Sequence, residues 1–169
     1  MQLGAAYTSN FRLDQHVLPV LQSLAGGTRE SAAFHIRQKY YRLCLFRVES
    51  PQAVRDFQKP ATLVPLDATS TGRVLALSTW PDAAVSPALV YATSGVYDVQ
   101  TASISTPVFG GIKELVGALT VSGPVGRFGR ADVKTMARNL AEAARGLSIV
   151  LGAPALPSSG PPRIIGPWV

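Results

Sequence analysis

The chain has 169 residues, of which 47% are hydrophobic and 15% are charged. This composition excludes a chain that is disordered throughout, and the length fits one domain with a sizeable core. No apolar run reaches the roughly 18 to 20 residues that a membrane-spanning helix needs. The N-terminal sequence lacks the basic and apolar regions of a secretory signal, so we expect a cytoplasmic protein that does not enter a membrane.

Cysteine content and charge narrow the possible kinds of site. The single cysteine, Cys44, excludes an internal disulfide and provides no zinc-binding spacing, so we expect no metal and no cofactor. The net charge of +6 comes from scattered residues. It is compatible with an acidic small ligand or with nearby DNA, but it does not form the basic stripe of a nucleic-acid-binding surface.

The first predicted elements are a helix and two strands. Apolar residues recur at helical spacing over residues 13–25, Pro19 is expected to kink this helix or reset its start, and the glycines at 26–27 should end it. Residues 31–37 and 40–48 alternate as strands around a short turn.

Two residues in these strands, His35 and Cys44, suggest a Cys/His nucleophile pair. However, Cys44 lies among large apolar residues, where cysteine is commonly an inert buried group. The sequence therefore favours no catalytic residue, and the protein is expected not to be an enzyme.

The next stretch predicts a short helix with a polar N-terminal end. Residues 51–60 form a polar connection that could contain a short helix, and residues 62–66 form a short strand. The sequence DATSTG at 67–72 then leads into a helix. It places backbone N–H groups and Ser/Thr oxygens at a helix N-terminus, which means either simple capping or an anion-binding corner. The spacing of a Walker loop is absent.

The centre of the fold is predicted to be a hairpin over residues 103–124, after a turn-rich stretch and a possible short helix at 88–93. The side chains of Val116, Ala118, Thr120 and Ser122 share one strand face, and Ser103 begins the partner strand. These hydroxyls either bond to neighbouring backbone or line a small polar pocket.

A long helix and a tail follow the hairpin, after Gly123-Pro124 has broken the strand. Residues 131–151 predict an amphipathic helix with an apolar stripe. The stripe consists of Val133, Met136, Leu140, Leu147 and Val150. Residues 153–169 are rich in Pro, Gly and Ser and predict a linker or extended end.

Several motifs in this order resemble the effector-binding domain of IclR-family transcriptional regulators. PLDATSTGRV at 65–74 resembles the family's helix-opening segment, although Asp67 and Arg73 replace its histidine and lysine. SISTPV at 103–108 resembles its Ser-Ile-Ala-Ala-Pro-Val strand. VSGP at 121–124 and LSIVLG at 147–152 resemble its C-terminal motifs. The resemblance covers residues 1–152.

The resemblance implies an α+β fold, a GAF-like curved antiparallel sheet flanked by helices, with a long C-terminal helix. It also implies a small-molecule effector, an organic acid or an aromatic compound. Neutral donors and helix N–H groups can hold a carboxylate without a buried cation. The implied ligand-binding residues are Ser70, Thr71, Gly72, Ser103, Thr120 and Ser122. A homodimer or homotetramer is expected.

Two departures from the family affect these expectations. The family's winged helix-turn-helix precedes the effector domain and is not recognisable in this sequence, so DNA contact is expected only through such a segment. Residues 78–102 are shorter than in the family and lack a secure counterpart of its acidic pocket residue, so the pocket could be open or unused. The sequence therefore leaves a second possibility, a degenerate domain that serves only for protein association.

Overall fold

The structure is a computed structural model, and it describes residues 12–56, 62–77, 88–111, 114–154 and 160–167. A short 3₁₀ helix, Val125–Arg127, precedes the last long helix. The helices and strands are, in chain order, α1 (Leu13–Thr28), β1 (Ser31–Gln38), β2 (Tyr41–Val48), β3 (Leu63–Pro65), α2 (Ser70–Leu75), β4 (Leu89–Ser94), β5 (Thr101–Phe109), β6 (Leu115–Pro124), α3 (Arg130–Val150) and β7 (Arg163–Ile165).

The strands form one seven-stranded sheet in the order β3-β2-β1-β6-β5-β4-β7. All neighbours are antiparallel except β4 and β7, which are parallel. The predicted α+β class with a long C-terminal helix is confirmed. Among the described residues, no helix combines the length and the apolar character needed to cross a bilayer.

One face of the sheet carries the main hydrophobic core. Helices α1 and α3 pack on this face, and their apolar positions recur every three or four residues. Leu13, Val17, Leu21 and Leu140 have no exposed surface. They meet inward side chains of the central strands, such as Leu119 on β6. Burial of this aliphatic surface is the largest favourable contribution to folding.

The opposite face carries the short helix α2. Val74 and Leu75 of α2 pack with Ala118 of β6 in a small second cluster. The hydroxyl of Thr69 caps α2 by accepting the Gly72 N–H at 3.2 Å, as the sequence predicted for a hydroxyl at a helix N-terminus. Val116 belongs to the main core instead of this face, because a register shift in the β5–β6 pair interrupts the strict alternation.

Several predicted boundaries are wrong. Helix α1 runs through Pro19 and through the glycines at 26–27, and it ends at Thr28, where Arg29 takes a left-handed conformation with φ 62°. Strand β6 continues through Gly123-Pro124, since these residues remain paired with β5. At the end of α3, Val150 is half-exposed, so it does not belong to the buried stripe.

The predicted helix at 88–93 is also wrong, because this stretch is strand β4 and lies between β5 and β7. Residues 51–56 contain bends and no helix. Within the predicted tail, Arg163–Ile165 adds strand β7 to the sheet. The predictions for residues 57–60 and 80–87 lie outside the described residues, as does most of the shortened segment before β4.

Candidate functional site

Hydroxyl side chains from α2 and from the central strands form one hydrogen-bonded cluster. The Ser70 hydroxyl lies 2.7 Å from that of Ser103 and 2.8 Å from that of Ser105. The Thr71 hydroxyl lies 2.7 Å from that of Thr120 and 3.1 Å from that of Ser105. Hydroxyls from two segments far apart in sequence, the start of α2 and the β5–β6 hairpin, therefore lie within hydrogen-bond distance of each other.

Sheet register explains why these hydroxyls meet. Ser105 pairs with Thr120 and Ser103 with Ser122 across β5 and β6, so all four side chains lie on the α2 face. The Ser105 and Thr120 hydroxyls are 2.7 Å apart. Hydrogen bonds between side chains therefore dominate in this cluster, a pattern that neither of the two interpretations given above described.

Ser122 is held differently from the other predicted residues. Its hydroxyl donates to Asp56 Oδ2 at 2.7 Å, and Arg47 Nη2 lies 3.2 Å from Asp56 Oδ1. A further hydrogen bond, from Arg127 Nη2 to the Val54 carbonyl at 2.7 Å, holds the same segment against the sheet. Residues 51–56 thus form one wall beside the hydroxyl cluster.

A cavity of about 340 Å³ opens above this part of the sheet. Four of the six predicted residues line it, and Ser70 and Gly72 do not. Gly72 has a steric role, because a Cβ at this position would overlap the backbone carbonyl of Asp67. The lining residues are His35, Arg42, Val54, Arg55, Asp56, Thr69, Thr71, Tyr97, Asp98, Gln100, Thr101, Ser103, Thr120, Ser122 and Pro124.

The cavity contains a buried cation that the sequence analysis missed. Arg42 on β2 is 4% exposed, and its guanidinium carbon lies 5.6 Å from the centre of the Tyr97 ring. Its Nη2 lies 3.5 Å from Asp67 Oδ2, which is a long ion pair. Arg42 is one of two basic residues in β2, the other being Arg47, and the predicted set of neutral donors did not include it.

Two further hydroxyl residues of the cluster were also missed. Ser105 follows Ser103 by two residues, so the period of a strand already placed both on one face. Thr93 accepts the Ser70 N–H at 3.0 Å and lies 3.3 Å from the Ser103 hydroxyl. The incorrect prediction of a helix at 88–93 concealed Thr93.

The rejected Cys/His pair is close in space but lacks a reactive thiol. His35 and Cys44 face each other across β1 and β2. Burial raises the pKa of the Cys44 thiol, which outweighs the lowering by Arg47 and Arg42. A thiol that keeps its proton is a poor nucleophile. No group of three or more His, Cys, Asp or Glu side chains in the described part of the chain is arranged to hold a metal ion.

A larger groove of about 560 Å³ lies between α1 and α3. Most of its lining residues are aliphatic or glycine. It is therefore the weaker candidate for a small polar ligand. Its lining residues are His16, Pro19, Val20, Ser23, Leu24, Gly27, Thr28, Asn139, Glu142, Ala143, Gly146, Leu147 and Val150.

Solved structures with this architecture are IclR-type regulators. A regulator from Silicibacter sp., described as ICLR, matches with a TM-score of 0.76 and 18% identity over 93% of this chain and 74% of its own. An IclR-family regulator from Rhodococcus sp. matches with a TM-score of 0.70 and 25% identity, over 83% of this chain and 64% of its own. The sequence matches no family model and no curated protein.

A match to an isolated effector domain shows which part of such regulators this chain resembles. The effector domain of an IclR regulator from Acinetobacter sp. is matched over 97% of its length and 83% of this chain, with a TM-score of 0.67 and 17% identity. This chain has the fold of an IclR effector-binding domain. The match spans 74% and 64% of the chains of the two regulators above.

Proposed function

We propose that this chain is the small-molecule-sensing and oligomerisation domain of a transcriptional regulator. The proposal places the effector, an organic acid or an aromatic compound, in the cavity above β5 and β6. Ser103, Thr120 and Ser122 would contact it directly from the sheet, and Thr71 would do so from α2. Ser70 and Gly72 would support the start of α2, since neither lines the cavity.

The observation that carries the proposal is the convergence of donors from separate segments on one cavity. Hydroxyls of α2 lie within 2.7 Å of hydroxyls of β5 and β6. Buried polar side chains cost free energy unless they are hydrogen-bonded, and packed apolar residues would stabilise the sheet more simply. A polar cluster beside a cavity is the arrangement that ligand sites typically have.

The output of such a domain is a change in assembly. We infer a homodimer or homotetramer whose geometry shifts when the effector binds, which requires that the two states differ in affinity for the effector. DNA contact would be made by a winged helix-turn-helix, as the family resemblance implies, and the location would be cytoplasmic. No catalytic role is assigned to the chain.

A second function, protein association without a ligand, is favoured by one observation. Ser70, Thr71, Ser105 and Thr120 already satisfy one another. A site that is fully bonded without ligand gains less from binding, because each new hydrogen bond replaces an existing one.

A thermal-shift screen with small carboxylates, aromatic acids and neutral aromatics separates the two functions. A ligand that binds only the folded state raises the melting temperature in a saturable way. Replacing two lining hydroxyls, Ser103→Leu with Ser122→Leu, should abolish that rise. Ser23→Leu is the matched control, because it fills the groove between α1 and α3 and should leave the rise intact. No shift across the panel, with the oligomer intact, would support association alone.

A further inference from the structure

Arg42 carries a charge that is buried beside the cavity. It lies on β2 between Leu43 and Tyr41, and its side chain is 5% exposed. Transfer of a guanidinium out of water is costly unless an anion and several hydrogen bonds replace the lost hydration. A buried arginine is therefore informative when its partners are incomplete.

The partners of Arg42 are incomplete in the part of the chain that the structure describes. Its Nη2 reaches Asp67 Oδ2 only at 3.5 Å, and its buried Nε has no hydrogen-bond partner. The other oxygen of Asp67 accepts the N–H of Thr69 at 3.1 Å and also the hydroxyl of Thr69. Asp67 is thus engaged mainly with Thr69, the residue that caps α2, and it compensates the Arg42 charge poorly.

A second arginine shows what full compensation looks like in the same protein. Arg127 donates from Nε to Glu30 Oε2 at 2.6 Å and from Nη2 to Glu30 Oε1 at 2.7 Å. This is the bidentate geometry in which a guanidinium binds a carboxylate. Arg42 has the same two atoms buried beside the cavity, with one long contact in place of two short ones.

The surroundings of Arg42 identify the kind of anion that would complete it. Arg42 shares the cavity lining with the hydroxyls of Thr71, Ser103 and Thr120, which can donate to a second anionic oxygen. The Tyr97 ring beside the guanidinium adds an apolar surface. A planar organic carboxylate with a compact carbon skeleton fits this set of groups better than a neutral compound.

We propose that Arg42 is the carboxylate-binding side chain of this cavity, so that the effector is an organic acid and not a neutral aromatic compound. This inference rests on the proposed sensing function. The ligand carboxylate accepts the hydrogen bonds of the Arg42 guanidinium that Asp67 accepts only in part. The hydroxyl cluster binds the remaining polar atoms of the ligand.

The test compares acids with their neutral amides, such as benzoate with benzamide and acetate with acetamide, at constant ionic strength. Binding is measured by thermal shift and calorimetry on the whole chain. We expect the wild-type protein to prefer at least one acid over its amide. Arg42→Gln should weaken that acid about 100-fold, as expected for loss of one partner of a buried charge pair. The Arg42→Lys protein should bind the acid better than the Arg42→Gln protein but less tightly than the wild-type protein, since lysine cannot form the bidentate hydrogen bonds of a guanidinium.

Arg37→Gln is the matched control. Arg37 pairs with Arg42 in the register of β1 and β2, but it bonds to the carbonyls of Lys39 and Leu75 and does not line the cavity. It should leave acid binding unchanged. The unliganded Arg42→Gln protein should melt close to the wild-type temperature, because the charge that it removes is poorly compensated.

Two results overturn the proposal. One is the absence of any acid-specific shift in the wild-type protein, and the other is equal affinity of an acid for the wild-type and Arg42→Gln proteins. In both cases Arg42 is a structural residue. The sensing function would still stand if a neutral ligand binds and the paired Ser103→Leu and Ser122→Leu substitutions abolish its binding. It would fall if no compound of either kind binds.

Discussion

One face of the sheet is covered by two long helices and the other by a six-residue helix and a cavity. On the first face, α1 and α3 bury aliphatic side chains such as Val17 and Leu140, which have no exposed surface. On the second face, α2 brings hydroxyls onto the hydroxyls of β5 and β6. The same strands therefore contribute apolar residues to one side and polar residues to the other.

This difference shows how a small domain can contain a polar site. Each strand residue faces one side only, so the two faces can be specialised independently. The first face supplies hydrophobic stabilisation in proportion to its buried area. The second face can then hold buried hydroxyls and the Arg42 charge, which contribute little net stability, without unfolding the chain. Substitutions on the two faces should consequently differ in their effects.

The largest effect is expected on the helical face. Leu140→Ala removes a fully buried side chain between α3 and the sheet and leaves a cavity. It should lower the free energy of unfolding by about 3 kcal/mol. Urea denaturation followed by circular dichroism measures this loss. A loss below about 1 kcal/mol would mean that the core relaxes around the cavity, and that this face is not the main source of stability.

A smaller effect is expected on the α2 face. Ser105→Ala removes a fully buried hydroxyl that lies within hydrogen-bond distance of those of Ser70, Thr71 and Thr120. The three partners keep other bonds, so the loss should be about 1 kcal/mol. Thr135→Ala, on an exposed part of α3, is the control and should change stability by less than about 0.5 kcal/mol. If Ser105→Ala costs as much as Leu140→Ala, the contrast between the faces is wrong.

Sequence patterns were informative where structure is local. The helical spacing of α1 and α3 and the alternation of β1, β2 and the β5–β6 hairpin identified these elements, with errors mainly at their ends. Strand β4 was mistaken for a helix, because Ala88, Leu89 and Ala92 favour helices and only pairing with β5 makes the segment extended. Strand β7 depends on parallel pairing with β4, which no local pattern predicts.

The same limit applies to the candidate site. Resemblance to a family, together with strand alternation, predicted that Ser70 and Thr71 lie near Ser103 and Thr120. Alternation alone would also have placed Ser105 in the cluster. Arg42 could not be placed in the same way, because burial of a single basic residue depends on the neighbours that cover it. Its relation to Asp67, 25 residues later, follows only from the folded arrangement of β2 and the connection between β3 and α2.

The smallest effect is expected for Cys44, and it should appear in the dependence of stability on pH. Burial raises the pKa of Cys44 in the folded protein. The unfolded thiol loses its proton near pH 8.5, at a lower pH than the folded one, so the contribution of this group to stability is complete below about pH 8.5 and declines as the pH rises. As the pH is raised from about 8 to about 10, the free energy of unfolding should therefore fall less for the Cys44→Ala protein than for the wild-type protein. Urea denaturation at both pH values measures this difference. The folded thiol should also react slowly with a thiol reagent until denaturant is added. Rapid reaction in the folded state would indicate an exposed thiolate, and it would reopen the Cys/His pair as a catalytic group beside the cavity.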